Sequence, residues 1–98
     1  MVWASWTTPG VFTGRGGART DEAGIVGGNL TVHTTWDGRE ADVTVQYTGT
    51  SEWFTLTGSP VPCRSERCSR DLHQATVEAL KAGEEAATVP RLDTDAVA

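Results

Sequence analysis

One lysine, one isoleucine, one asparagine and one methionine stand among 98 residues, and no long apolar run occurs anywhere in the chain. A membrane-spanning helix needs roughly eighteen consecutive apolar residues, so no such span is expected. The amino terminus, MVWASWTTPG, has neither the basic stretch nor the apolar run of a secretory signal. That reading leads to the expectation of a soluble, cytoplasmic protein. Positive charge is also scarce: 8 Lys+Arg face 13 Asp+Glu, for a net charge of −5. Such a chain repels phosphate backbones and anionic headgroups, which argues against nucleic acid and membrane surfaces as partners. Seven arginines to a single lysine point to a GC-rich bacterial genome.

Histidine and cysteine are equally thin, with two of each. Catalysis needs a nucleophile, a base and an orienting group brought together. The two classical bases, His33 and His73, fall on a strand's polar side and at the margin of a helical stripe. No pair of carboxylates is set by pattern to share a substrate. The chain is therefore read as a non-enzyme, with no catalytic residue assigned. His33, Cys63, Cys68 and His73 are zinc-ligand types, but the paired spacings of structural zinc sites are missing, so no metal and no cofactor is assigned. In a cytoplasmic chain Cys63 and Cys68 read as reduced thiols, with a disulfide across the loop-to-helix junction as the alternative. Gly14-Arg15-Gly16-Gly17 lacks the Gly-Lys-Ser/Thr ending of a phosphate loop, and Arg19 stands where a dinucleotide fingerprint needs glycine. It reads as a flexible loop.

What the chain has is threonine (15), glycine (11) and tryptophan (4). The composition fits short strands and turns, and the length fits one domain with a thin core. Residues 1–28 form a Gly- and Thr-rich segment with too much aromatic mass for a solvated tail. Partial order is expected there, with an extra strand around 2–7 or 10–13. From Asn29 the pattern alternates. Leu30, Val32, Thr34 and Trp36 lie on one face, answered by Ala41, Val43, Val45 and Tyr47 after the hairpin signal Asp37-Gly38. Parity permits a loop of two or four residues and excludes three, which would turn one strand inside out.

A third strand over 52–57 adds Phe54 and Leu56 to the same face. The expected fold is thus α+β: an antiparallel meander (about 29–36, 41–48, 52–57) followed by an amphipathic helix over about 66–82. In that helix Cys68, Leu72, Ala75, Thr76, Ala79 and Leu80 share a stripe opposite Arg67, Arg70, Asp71, Gln74, Glu78 and Lys81. His73 reads as a partly exposed surface residue and Val77 as a lone exposed one. Residues 29–83 make the core, and 84–98 a disordered acidic tail.

One helix covers one face of a sheet, so the other face needs a partner. Parity sends Trp53 to that other face, beside Thr31, His33, Thr44 and Gln46. Tryptophan is enriched at protein–protein hot spots. The expected function is a protein-interaction or regulatory module, self-associating or bound to a protein partner, with Trp53, Trp3, Trp6, His33, Thr44 and Gln46 as its binding residues. The amino-terminal aromatics could instead fold over Trp53 and complete the core. Two further readings stand beside these. One is a small-ligand binder with stacked tryptophans, and the other a nucleic-acid binder through Arg15, Arg19 and Arg39.

Overall fold

A computed structural model describes residues 2–90 and has the α+β architecture. The element order is β1 (Ala4–Phe12), β2 (Ala18–Thr20), β3 (Gly24–Val26), β4 (Asn29–Trp36), β5 (Glu40–Tyr47), β6 (Phe54–Thr55), β7 (Val61–Pro62) and α1 (Glu66–Ala82). The main sheet runs β1-β4-β5-β6, with β7 pairing β5 beyond the end of β6, and β2 and β3 form a separate hairpin.

The central hairpin takes the four-residue loop: Trp36 faces Ala41, Val32 faces Val45 and Leu30 faces Tyr47. Asp37 holds that loop with its carboxylate, which accepts from the backbone N–H groups of Arg39 at 2.9 Å and Glu40 at 2.8 Å. Those two bonds stabilise the ionised form and lower the Asp37 pKa, Glu40 contributing most. The third strand is shorter than its alternation implies. β6 pairs β5 through Phe54 and Val45, and Leu56 then passes to an antiparallel bridge with Thr20 of β2.

The amino-terminal segment forms the extra strand expected there, as a single element longer than either stretch read from the sequence. It is one nine-residue strand paired antiparallel to β4, and it widens the sheet instead of covering its second face. Pro9-Gly10 hides this from the alternation. The register shifts between Thr8 and Val11, where Gly10 takes φ 68°, and the proline is tolerated on an edge strand at a bulge. Past the bulge Val11 is fully buried.

Helix α1 starts at Ser65, whose hydroxyl accepts from Cys68 N–H at 3.0 Å. It packs on β1 and β4, and Leu72, Thr76 and Leu80 are fully buried. Because β1 lies beside β4, the sheet grips a wider arc of the helix than one apolar stripe. Ser69, His73 and Val77 are therefore buried as well, His73 at 6% exposure and Val77 at 4%. This corrects the surface positions expected for both.

Two other expectations fail. Cys63 and Cys68 are joined in a disulfide with Cα atoms 5.6 Å apart, so the thiols are not reduced. Residues 84–90 do not form a loose tail. Ala87 bridges Ala18 in parallel and donates its N–H to Gly17 O at 2.9 Å, while Val89 N–H reaches Thr57 O at 3.0 Å. Residues 91–98 of the expected tail lie outside the described residues.

Candidate functional site

Alternation divides the main sheet into two unlike faces. Leu30, Val32, Thr34, Trp36, Val43 and Val45 line the core side of the sheet and are buried. The opposite face carries Ser5 and Thr7 from β1, Thr31, His33 and Thr35 from β4, and Asp42, Thr44 and Gln46 from β5. The pairing aligns these in rows across the strands. Thr7, His33, Thr44 and Thr55 make one row, and Ser5, Thr35 and Asp42 another. The face remains open: Thr7 and Asp42 are exposed, and His33, Thr35, Thr44 and Gln46 are half-buried.

Trp53 stands on this face. It precedes β6 by one residue, and continuing the Phe54–Val45 register sets it opposite Gln46. Its indole reaches across β5 to His33, with ring centroids 5.5 Å apart and planes tilted by 48°. That separation is within the range of favourable aromatic pairs. His33 is anchored on its other side, where Nδ1 and Thr7 Oγ1 share a hydrogen bond of 2.7 Å. Thr7, His33 and Trp53 therefore link β1, β4 and the start of β6 in a single line. Even so pinned, Trp53 keeps 41% of its surface in water. At one end of the face Thr31 bonds Thr48 at 3.0 Å, and Thr48 donates to the Asn29 side chain at 2.8 Å.

Of the residues expected to form a binding surface, Trp53, His33, Thr44 and Gln46 share this face, while Trp3 and Trp6 do not. Trp6 points to the helix side, where its indole N–H donates to Ser69 Oγ at 3.0 Å. Trp3 lies at the hairpin end of the sheet. It packs edge-on against Trp36 at 5.9 Å and over Gly38, and remains 64% exposed. Neither covers Trp53. Odd and even positions of β1 face opposite ways, and β1 extends the sheet in its own plane.

The two histidines are also separated. His73 lies on the helix side, with Nε2 bonded to Thr8 Oγ1 and Nδ1 to Thr34 Oγ1, both at 2.8 Å. Burial lowers its pKa, and the nearby His33 adds to the effect. With the cysteines bonded to each other, His33, His73, Cys63 and Cys68 do not converge.

The glycine loop has a packing role. Gly14 N–H donates to Leu80 O at 2.7 Å and Gly16 N–H to Gly83 O at 3.2 Å, which seats the loop on the end of α1. A side chain at Gly16 would fall within the backbone of Glu85. The loop is held, not flexible, and these amides are already used. It lines an open cleft of about 420 Å³ with Ile25, Val26, Gly27 and Gly28. A second cleft, of about 180 Å³, lies between Trp6 and Glu66, Arg67 and Arg70. Neither is on the Trp53 face. Arg15 and Arg39 stand near opposite ends of α1: Arg39 O accepts from Cys63 N–H at the start, and the Gly14–Gly16 loop docks at the finish. Seventeen helical residues at about 1.5 Å each separate those ends by about 25 Å, so Arg15 and Arg39 are set far apart, while Arg19 lies on β2.

No helix among the described residues is long and apolar enough to cross a membrane. Comparison with family models, with curated proteins and with solved structures finds no match for this chain.

Proposed function

We propose that this chain is a non-enzymatic protein-interaction module whose binding surface is the Thr-rich sheet face around Trp53. The observation that carries this reading is the half-exposed indole held against His33 at 5.5 Å, on a face that no element covers among the described residues. A large amphipathic side chain fixed in place contributes contact area at low entropic cost, which suits a binding anchor. The surrounding hydroxyls and the Gln46 amide offer neutral hydrogen bonds, and Asp42 adds an exposed carboxylate to the same face. Three strands about 4.8 Å apart and about eight residues long span about 400 Å². A standard stable interface takes about 800 Å² from each partner, so the face fits a reversible contact with a second copy or another protein.

The disulfide bears on where this happens. Disulfides persist in oxidising environments and are rare in the cytosol of mesophiles. The Cys63–Cys68 bond therefore supports a site of action outside a reducing cytoplasm, in place of the cytoplasmic location expected from the amino terminus.

Amide chemical shifts followed from dilute to near-millimolar protein test the reading. Self-association through this face moves the resonances of His33, Thr44, Gln46 and Trp53 together, and Trp53→Ala abolishes the movement. Concentration-dependent shifts confined to another surface contradict it.

A further inference from the structure

The free edge of β1 is a second, separate surface, and it has its own chemistry. Among the described residues no strand pairs with the outer side of β1, which ends the main sheet. An edge strand presents alternate N–H and C=O groups to any extended chain that meets it, and proteins usually blunt such edges with charge, proline or a bulge. Here Pro9 and the bulge between Thr8 and Val11 close only the second half of the strand. The first half, Ala4-Ser5-Trp6-Thr7-Thr8, has no charged residue, no proline and no break in register.

Beside that open half lies the cleft between Trp6 of the outermost strand and Glu66, Arg67 and Arg70 of α1. Trp6 is fixed as its floor by the bond to Ser69. A volume of about 180 Å³ is below the roughly 300 Å³ at which small-molecule sites begin, and it suits one side chain. Two guanidinium groups against one carboxylate give the cleft a positive balance in a chain of net charge −5. Arg67 makes no ion pair among the described residues, and Arg70 meets only Asp71, at 3.9 Å, with both side chains about half exposed.

An added strand would direct alternate side chains to the helix side of the sheet, level with Trp6, and the others to the side of Ser5 and Thr7. We infer that the Ala4–Thr8 edge accepts an extended acidic peptide as a further β-strand, with one of its carboxylate side chains entering the cleft between Trp6, Arg67 and Arg70. The main chain supplies binding that is blind to sequence, and the cleft supplies the preference for an acidic residue. The inference does not rest on the Trp53 face, and each surface is tested separately.

Three synthetic hexapeptides serve as probes, titrated into the full chain at low salt and followed by amide chemical shifts. One alternates Val and Glu, one alternates Val and Lys, and the third is the Val–Glu peptide with alternate backbone amides methylated. The Val–Glu peptide shifts the amides of Ala4–Thr8 and the side chains of Arg67 and Arg70. It binds at least tenfold tighter than the Val–Lys peptide, and the methylated version loses at least tenfold. Arg67→Glu with Arg70→Glu, both exposed positions, reverses the charge preference while the spectrum of the free fold is retained. Equal binding of the acidic and basic peptides overturns the proposal. So does undiminished binding of the methylated peptide, or shifts that map to Trp53 and His33 instead of β1.

Discussion

Thr34 Oγ1 and His73 Nδ1 meet at 2.8 Å in the buried seam between β4 and α1. With Thr8 on the other ring nitrogen, the imidazole ties the helix to two strands at once. Either hydroxyl can donate or accept, so the neutral ring is satisfied in both tautomers. Among the described residues the charged ring gains no carboxylate partner; burial first, and the nearby His33 second, lower its pKa.

The sign of the pH dependence follows. The unfolded chain takes up this proton near pH 6.5, and the folded chain only at lower pH. The His73 contribution is therefore complete above about pH 6.5 and is lost as pH falls from there through the folded pKa. Urea midpoints measured between pH 7.5 and about 5 should decline for the natural chain. In His73→Gln, which can still bond both hydroxyls, that decline should flatten. An unchanged slope would assign the effect to other groups. Glu22, whose pKa is lowered first by the Thr55 hydroxyl bond and then by the Thr55 backbone bond, acts in the same direction at lower pH, in the carboxylate range.

Leu72→Ala removes a fully buried side chain from the helix–sheet contact, and should cost about 2–4 kcal/mol. Gln74→Ala, on the exposed side of the same helix, should cost less than about 0.5 kcal/mol. Denaturant unfolding of both variants checks the helical phase. Equal losses would contradict it.

Cys63 is held by more than its disulfide. Its carbonyl accepts from Trp36 Nε1 at 3.0 Å, and its N–H donates to Arg39 O at 2.8 Å. The bond to Cys68 closes a short loop that joins this anchor to the first turn of α1. Loop-closure entropy for so small a ring is worth about 2 kcal/mol. Thiol titration of the denatured, unreduced protein should find no free cysteine, and Cys63→Ser with Cys68→Ser should lower stability by about that amount. Two titratable thiols in the native protein would show that the pair is not bonded.

These features were not equally legible in the amino-acid sequence. The β4–β5 register was, because side-chain parity leaves few loops that match apolar with apolar, and the structure has one of them. The position of Trp53 follows from the same parity applied one strand further. β1 was obscured because Pro9-Gly10 breaks the alternation at the bulge, so one strand reads as two fragments. His73 and Val77 sit at the margins of the helical wheel, and only β1 packing beside β4 decides that they are buried. The disulfide depends on a Cα separation of 5.6 Å, which a C-x₄-C spacing permits but does not require. Ala87 and Val89 are ordered by backbone bonds to Gly17 and Thr57, an arrangement with no side-chain signature. Within the expected binding set, Trp6 was misplaced for want of β1: its position beside Ser69 follows from the strand's pairing with β4.

The most direct measurement of the central claim separates association from stability at Trp53. The indole is half exposed and packs on His33, outside the buried core. Trp53→Ala should therefore change folding stability by less than about 1 kcal/mol while removing concentration-dependent association in sedimentation velocity. A Trp53→Ala chain that unfolds, or one that stays folded and associates as the natural chain does, would contradict the assignment of this face as the binding surface.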